Sequence, residues 1–205
     1  MSILLIRHAE TAFNAARVVQ PPDTPLNERG IAQADRLGRR LTRLDVGHIL
    51  SSDQARAQMT AERVQLATGA AIDLDPGLRE RNFGDIRGTA YVDLGVDIFA
   101  PDYEPPGGEI WEDFHARVDE VWQRVTALAT RVSGNLAVVT HGLVCRSLAS
   151  RRLEVPSSLG AEPQRWGNTA LTIVHPAPPW TVQVLNCTAH LDGEVADDAA
   201  AASGL

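Results

Sequence analysis

Two histidines stand where an aliphatic run gives way to polar residues. His8 follows residues 3–6 and Arg7; His141 follows residues 136–139 and Thr140. A third run, 46–50, ends at Ser51, Ser52 and Asp53, with Arg56 just beyond. These residue types suit a phosphate monoester dianion, which needs cationic forks, a nucleophile and an acid for the leaving oxygen. Arg7 and Arg56 can each fork onto two phosphate oxygens. A neutral ring nitrogen of His8 can attack phosphorus and carry the group as phosphohistidine. His141 can donate to the equatorial oxygens as charge shifts in the transition state. Gly142 follows it at the start of a helix, whose N–H groups and dipole favour anions. Asn14, six residues after His8, can hydrogen-bond a phosphate oxygen. The leaving alkoxide needs a proton, and Glu80, in the loop segment 78–84, is the candidate acid. Like charge from a phosphate would raise its pKa, as a general acid requires. Glu10 and Glu109 are substitutes for that role.

The elements that must position these groups can be read from pattern. Runs 3–6, 46–50 and 136–139 read as buried parallel strands, with a short strand near 72–74 and two more at 169–174 and 181–185. Helices are predicted over 28–43 (capped by Asn27), 54–68, 109–132 and 143–153. Residues 9–26 read as loop, with Pro21, Pro22 and Pro25, and 85–115 as an irregular lid insertion. Residues 1–191 then form one domain, and 192–205 an acidic, Ala/Gly-rich disordered tail. Alternating strands and helices imply an α/β three-layer sandwich with a mainly parallel central sheet. Active sites of such sheets lie beyond the carboxyl ends of the strands, where all three polar clusters fall.

The same residues carry a resemblance. Residues 5–11 with Asn14 resemble the RHG motif of the histidine phosphatase superfamily, the phosphoglycerate mutase-like group. Residues 25–30 with Gln33 and Ala34, 51–57 with 60–62, 78–84, Gly107-Gly108-Glu109 and 138–142 resemble its further motifs in order. The likeness spans about residues 3–175. It implies a phosphoglycerate mutase-like fold, His8 as the phosphorylated nucleophile, Arg7, Arg56 and His141 as the phosphate pocket, Glu80 as proton donor, and no metal or other cofactor. Ala9 replaces the family's glycine, which bears on the tightness of that turn more than on the chemistry.

The superfamily holds phosphatases and mutases. Mutases resemble one another in extra basic residues over the pocket, whereas 88–116 contains no arginine or lysine and seven carboxylates: Asp93, Asp97, Asp102, Glu104, Glu109, Glu112 and Asp113. Such a lid would repel a second strong anion. A metal-independent phosphomonoesterase acting on a small phosphorylated metabolite with an apolar, neutral or cationic remainder is therefore expected. The alternatives are a bisphosphoglycerate-dependent mutase, with Arg79, Arg81 and Arg87 gripping a second anion, and a non-catalytic phosphate-binding protein. A metallohydrolase built on His8, His141 and a carboxylate lacks local ligand spacing, and the adjacent arginines disfavour a cation. His48, His115, His175 and His190 read as structural or surface residues, Cys145 as a small core residue, and Phe114 and Trp122 as core.

Composition sets outer bounds. The 205 residues carry a net charge of -7, and every one of the 19 basic residues is arginine. A broad nucleic-acid surface is not expected from that balance, though a few arginines in one cleft can act locally. Cys145 and Cys187 form no CxxC pair, as in a reduced cytoplasmic protein. The N-terminal apolar run is too short for a signal peptide, and no stretch reaches the ~20 apolar residues of a membrane helix. An edge strand or the exposed part of helix 109–132 offers a surface for a homodimer.

Overall fold

In the structure, a computed structural model, residues 1–160, 163 and 165–191 are described. The acidic segment 192–205 lies outside the described residues. Six strands form one sheet: β1 (Ile3–Arg7), β2 (Val46–Ser51), β3 (Ala71–Leu74), β4 (Asn135–Thr140), β5 (Leu171–Val174) and β6 (Val182–Cys187), in the order β3-β2-β4-β1-β5-β6. The pairs β2/β3, β2/β4 and β1/β4 are parallel; β1/β5 and β5/β6 are antiparallel. The sheet is thus mixed and mostly parallel, in an α/β fold.

Side chains alternate across β1, and both of its faces are covered. Ile3 and Leu5 join Leu136, Val138 and the apolar side of α4 (Trp111–Ala129) and α5 (Gly142–Arg151). Leu4 and Ile6 join Ala137, Val139 and the apolar side of α2 (Glu28–Leu41) and α3 (Ala55–Thr68). Two-sided burial explains why these strands read as continuous apolar runs. Phe114 and Trp122 lie in the first of these cores, as expected.

Register brings the strand ends together. Arg7 lies opposite Thr140, and Ser51 opposite Val139. The next residue of each chain leaves the sheet at the same edge, where His8 N–H donates to the Thr140 carbonyl at 2.8 Å. Because β5 runs antiparallel to β1, its N-terminal end also reaches this edge. The segment 165–169 arrives there from the far end of the sequence.

Several expected boundaries shift. Residues 9–26 are not all loop, since 12–16 form a short helix, α1 (Ala12–Ala16). Thr11 and Asn14 close a reciprocal capping box that fixes its start. Five residues are too few for helical periodicity to register. The long helix spans Trp111–Ala129, shorter at both ends than 109–132, with Ile110 as its N-cap. The lid is therefore 85–110, built of turns and short 3₁₀ segments. Gly30 is required by packing: a Cβ there would stand 2.0 Å from the Glu10 carbonyl oxygen, so α2 lies directly on the loop that follows His8.

Candidate active site

His8 is 2 % exposed, and its Nδ1 lies 2.7 Å from the Ala9 carbonyl oxygen. A carbonyl can only accept, so Nδ1 carries the proton and Nε2 keeps its lone pair. Burial, then the charges of Arg56 and Arg7, hold the His8 pKa well below the usual histidine value. The ring is neutral at pH 7. Ala9 is fully buried, its N–H donates to Thr60 Oγ1 at 3.0 Å, and its φ is not positive, so the turn takes alanine without strain.

His141 is fully buried, with its ring centroid 5.1 Å from that of His8. Burial, then Arg56 and His8, lower its pKa likewise. Its Nε2 lies 2.9 Å from Ser52 Oγ, while Nδ1 is buried with no hydrogen-bond partner. Ser52 is fully buried at the end of β2, and its Oγ also accepts the Gln54 N–H at 3.3 Å. Sequence reasoning placed Ser52 at the strand end but gave it no task.

Arg7 donates to the Trp166 carbonyl. Arg56, 2 % exposed, donates to the Pro21 carbonyl at 3.1 Å and to Gln54 Oε1 at 2.5 Å, and its Nε has no partner. Burial lowers its pKa to about 10, so it stays cationic at neutral pH. Arg56 Nε and His141 Nδ1 are both buried at this edge without a hydrogen-bond partner. Orphaned buried donors are costly unless a ligand satisfies them.

Glu80 Oε1 accepts the Arg81 N–H at 3.0 Å, and Oε2 accepts the Leu143 N–H at 3.1 Å. Burial raises its pKa, opposed by those two bonds and by Arg56 and Arg7. The helix start after Gly142 therefore spends one of its N–H groups on the acid. Asn14 Oδ1 accepts from the N–H and the hydroxyl of Thr11, and lies 3.4 Å from Asn168 Nδ2. Asn168 also donates to the His8 carbonyl at 3.1 Å, a contact no sequence motif flagged.

His8, Arg7, Arg56, Asn14 and Glu80 share the wall of a cavity of about 80 Å³. It shares Arg7, Asn14 and Glu80 with a larger cavity of about 360 Å³, which Gly142 also lines. The substitutes for Glu80 are engaged elsewhere. Glu10 accepts from Asn27 at 2.9 Å and pairs with Arg29, and Glu109 accepts from Nε and Nη2 of Arg117 at 2.9 and 2.8 Å.

Two further expectations need correction. Of the seven lid-region carboxylates only Asp97 lines the larger cavity, so the lid does not present an acidic wall to it. Arg81, 2 % exposed, borders the small cavity together with Arg87, but its guanidinium is committed to the backbone. It donates to the carbonyls of Glu109, Ile98 and Tyr103 at 2.9, 3.3 and 2.7 Å, and its guanidinium lies 3.9 Å from the Trp111 ring centroid. Arg79 pairs with Asp53, and Arg87 donates to Asn82.

The remaining histidines bond away from the cavity, to Asp73 (His48), Ser147 (His115), Ala177 (His175) and Thr169 (His190). Burial raises the Cys145 thiol pKa, which suits a core role. Among the described residues, no helix is long and apolar enough to cross a membrane, and no three His, Cys, Asp or Glu side chains gather as a metal site.

Residues 3–188 match the histidine phosphatase superfamily (branch 1), and the chain belongs to that family. It is 32 % identical over 216 residues to phosphoglycerate mutase-like protein 4 of Arabidopsis thaliana, covering 93 % of this chain and 86 % of that one. It is 36 % identical over 138 residues to the fructose-2,6-bisphosphatase TIGAR of Xenopus laevis, covering 62 % of this chain. The chain spans about half the length of that relative (50 %). Among solved structures, a putative α-ribazole-5'-P phosphatase of Escherichia coli superposes with a TM-score of 0.79 at 27 % identity, covering 92 % of this chain and 97 % of that one. Relatives thus include both phosphatases and mutase-like proteins.

Proposed function

We propose that the protein is a metal-independent phosphomonoesterase working through a phosphohistidine on His8. The observation that carries this reading is that a neutral His8, with Nε2 unprotonated, shares one small cavity with Arg7, Arg56 and a carboxyl of raised pKa. His8 Nε2 attacks phosphorus as the ester P–O bond breaks. Glu80 gives its proton to the leaving oxygen, and an alcohol departs. Water then attacks the phosphohistidine, Glu80 carboxylate takes its proton, and the N–P bond breaks to give inorganic phosphate and free His8.

Arg7, Arg56 and Asn14 hold the phosphoryl oxygens. The Ser52 hydroxyl donates to His141 Nε2, which leaves the His141 proton on Nδ1 for an equatorial oxygen. Backbone N–H groups near Gly142 add to the anionic preference. Burial of Arg81 beneath the lid supports hydrolysis over mutase action, because the basic residue beside the acid cannot grip a second anion.

The test is phosphate release from a panel of monoesters in EDTA, with His8→Ala as blank and isomerisation of 3-phosphoglycerate followed in parallel. Release that vanishes in the variant, with an acid-labile, alkali-stable phosphoryl label on the wild type, is expected. Isomerisation with little release, after priming by a bisphosphate, would replace this reading with a mutase.

A further inference from the structure

The small cavity over His8 is bordered by two other spaces that differ in chemistry. It shares Arg7, Asn14, Tyr91, Phe99 and Leu143 with the 360 Å³ cavity, whose wall also carries Phe13 and Trp166. On another side it shares Pro22, Gln54 and Arg87 with an open cleft of about 800 Å³. No aromatic side chain lines that cleft, and charged and amide groups dominate it. Glu80 is the one residue common to all three spaces, so the proposed acid stands where they meet. An organic leaving group suits the first space. Water and inorganic phosphate suit the second.

Four arginines line the cleft, and carboxylates hold three of them. Arg79 pairs with Asp53, Arg117 with Glu109 at 2.8 Å, and Arg124 with Asp75 and Glu120 at 2.9 Å. Arg87 is the exception. It is exposed, and its guanidinium has a single partner among the described residues, the neutral side-chain amide of Asn82. Asn82 Oδ1 also accepts the Gly84 N–H at 2.8 Å, so it stays satisfied when Arg87 turns away. Moving Arg87 to an anion therefore leaves neither a bare carboxylate nor an orphaned acceptor behind. This uncompensated cation stands on the wall that the cleft and the small cavity share. Its charge is among those that depress the Arg56 pKa, so it is within electrostatic reach of the phosphoryl pocket.

A phosphate dianion left over His8 lies between Arg7 and Arg56. A cation at the rim lowers the barrier to leaving and to entering alike, because it attracts the anion along the path rather than at its destination.

We infer that the phosphoryl pocket has a second mouth, on the cleft between Pro22, Gln54 and Arg87, and that Arg87 passes inorganic phosphate through it while the alcohol leaves by the 360 Å³ cavity. This rests on the phosphomonoesterase reading of the same site.

The experiment follows inorganic phosphate itself. Protein loaded with phosphate is mixed with an excess of a fluorescent phosphate sensor, which gives the release rate; calorimetry gives Kd, and the association rate follows. Arg87→Gln should slow association and release together, by about fivefold or more, with Kd unchanged, and Arg87→Lys should restore most of both rates. Pro22→Trp, which fills the exposed rim and leaves Arg87 in place, should slow both likewise. Raised salt should slow association in the wild type more than in Arg87→Gln. Faster release with a weaker Kd in Arg87→Gln would make Arg87 an ordinary ligand of bound phosphate and overturn the passage. Unchanged rates in either Arg87→Gln or Pro22→Trp would overturn the second mouth. Failure of the enzymatic reading has a separate signature. No hydrolysis of any monoester, with these effects on free phosphate intact, would remove the hydrolase and keep the mouth; hydrolysis without these effects would do the reverse.

Discussion

The Glu80 carboxylate accepts the backbone N–H of Leu143 at 3.1 Å, so the proposed acid is moored to the first turn of the helix that begins next to His141. Helix N–H groups favour the charged carboxylate, and burial favours the neutral acid; burial wins, and the pKa is raised.

This fixes the shape of the pH profile. The reaction needs neutral His8 and protonated Glu80. His8 protonates only well below its usual pKa, so the acid limb lies far below pH 6.5. The alkaline limb follows deprotonation of Glu80, above its ordinary carboxyl range. With an alkyl phosphate, kcat/KM should fall as pH rises through that pKa, and Glu80→Gln should lose about 10²–10⁴ in rate together with the alkaline limb. With p-nitrophenyl phosphate, whose leaving group needs little protonation, the same variant should lose far less. Equal losses on both substrates would remove Glu80 from the acid role.

Ser52 sets which nitrogen of His141 bears the proton. Ser52→Ala should let the ring sample the other tautomer and cost about 10–100-fold in kcat/KM, the usual cost of losing a partner that orients a working histidine. Nitrogen-15 shifts of His141 should move from the Nδ1–H pattern toward a mixture. An unchanged tautomer in an impaired variant would assign the loss to packing instead.

Arg81→Met should loosen the lid, because three backbone carbonyls lose their donor at once. The cost is about 3 kcal/mol, given ~1–3 kcal/mol for each buried polar group left unpaired. Limited proteolysis should cut within 88–104 far faster than in wild type. An uncut lid would mean that Trp111, Phe83 and their neighbours hold it without the guanidinium.

Acid should unfold the protein earlier than its carboxylates alone predict. His8 and His141 both bind protons more weakly folded than unfolded. Below pH ~6.5 the unfolded chain takes up protons that the folded chain refuses, so stability falls as pH falls. The slope should grow as pH drops through ~6.5, where the unfolded histidines titrate. His8→Asn should reduce that slope by about half in urea titrations; an unchanged slope would rule out His8 as a source.

The residues proposed to bind phosphate were legible because each closes or closely follows an aliphatic strand, and strand ends in a parallel sheet converge. His8, Arg7, Arg56 and His141 were readable on that ground. The partners that tune them were not. Ser52 acts through a hydroxyl whose direction depends on the register between β2 and β4, and Asn168 reaches the His8 carbonyl only because β5 runs antiparallel to β1. The acidic character of the lid sequence misled for a similar reason. Charge along a chain says nothing of which side chains face inward, and here six of the seven carboxylates do not line the larger cavity.

The placement of β5 beside β1 also bears on how the molecule is made. His8 and Arg7 are synthesised some 160 residues before the Trp166 carbonyl and the Asn168 amide that hold them. Until residues 165–174 emerge, β1 is an open edge on that side and Arg7 lacks the Trp166 carbonyl. A nascent chain released as far as residue 160 would carry every proposed catalytic group and still lack the partners that complete the proposed site. Synthesis order therefore delays completion of the proposed site until residues 165–174 have been released.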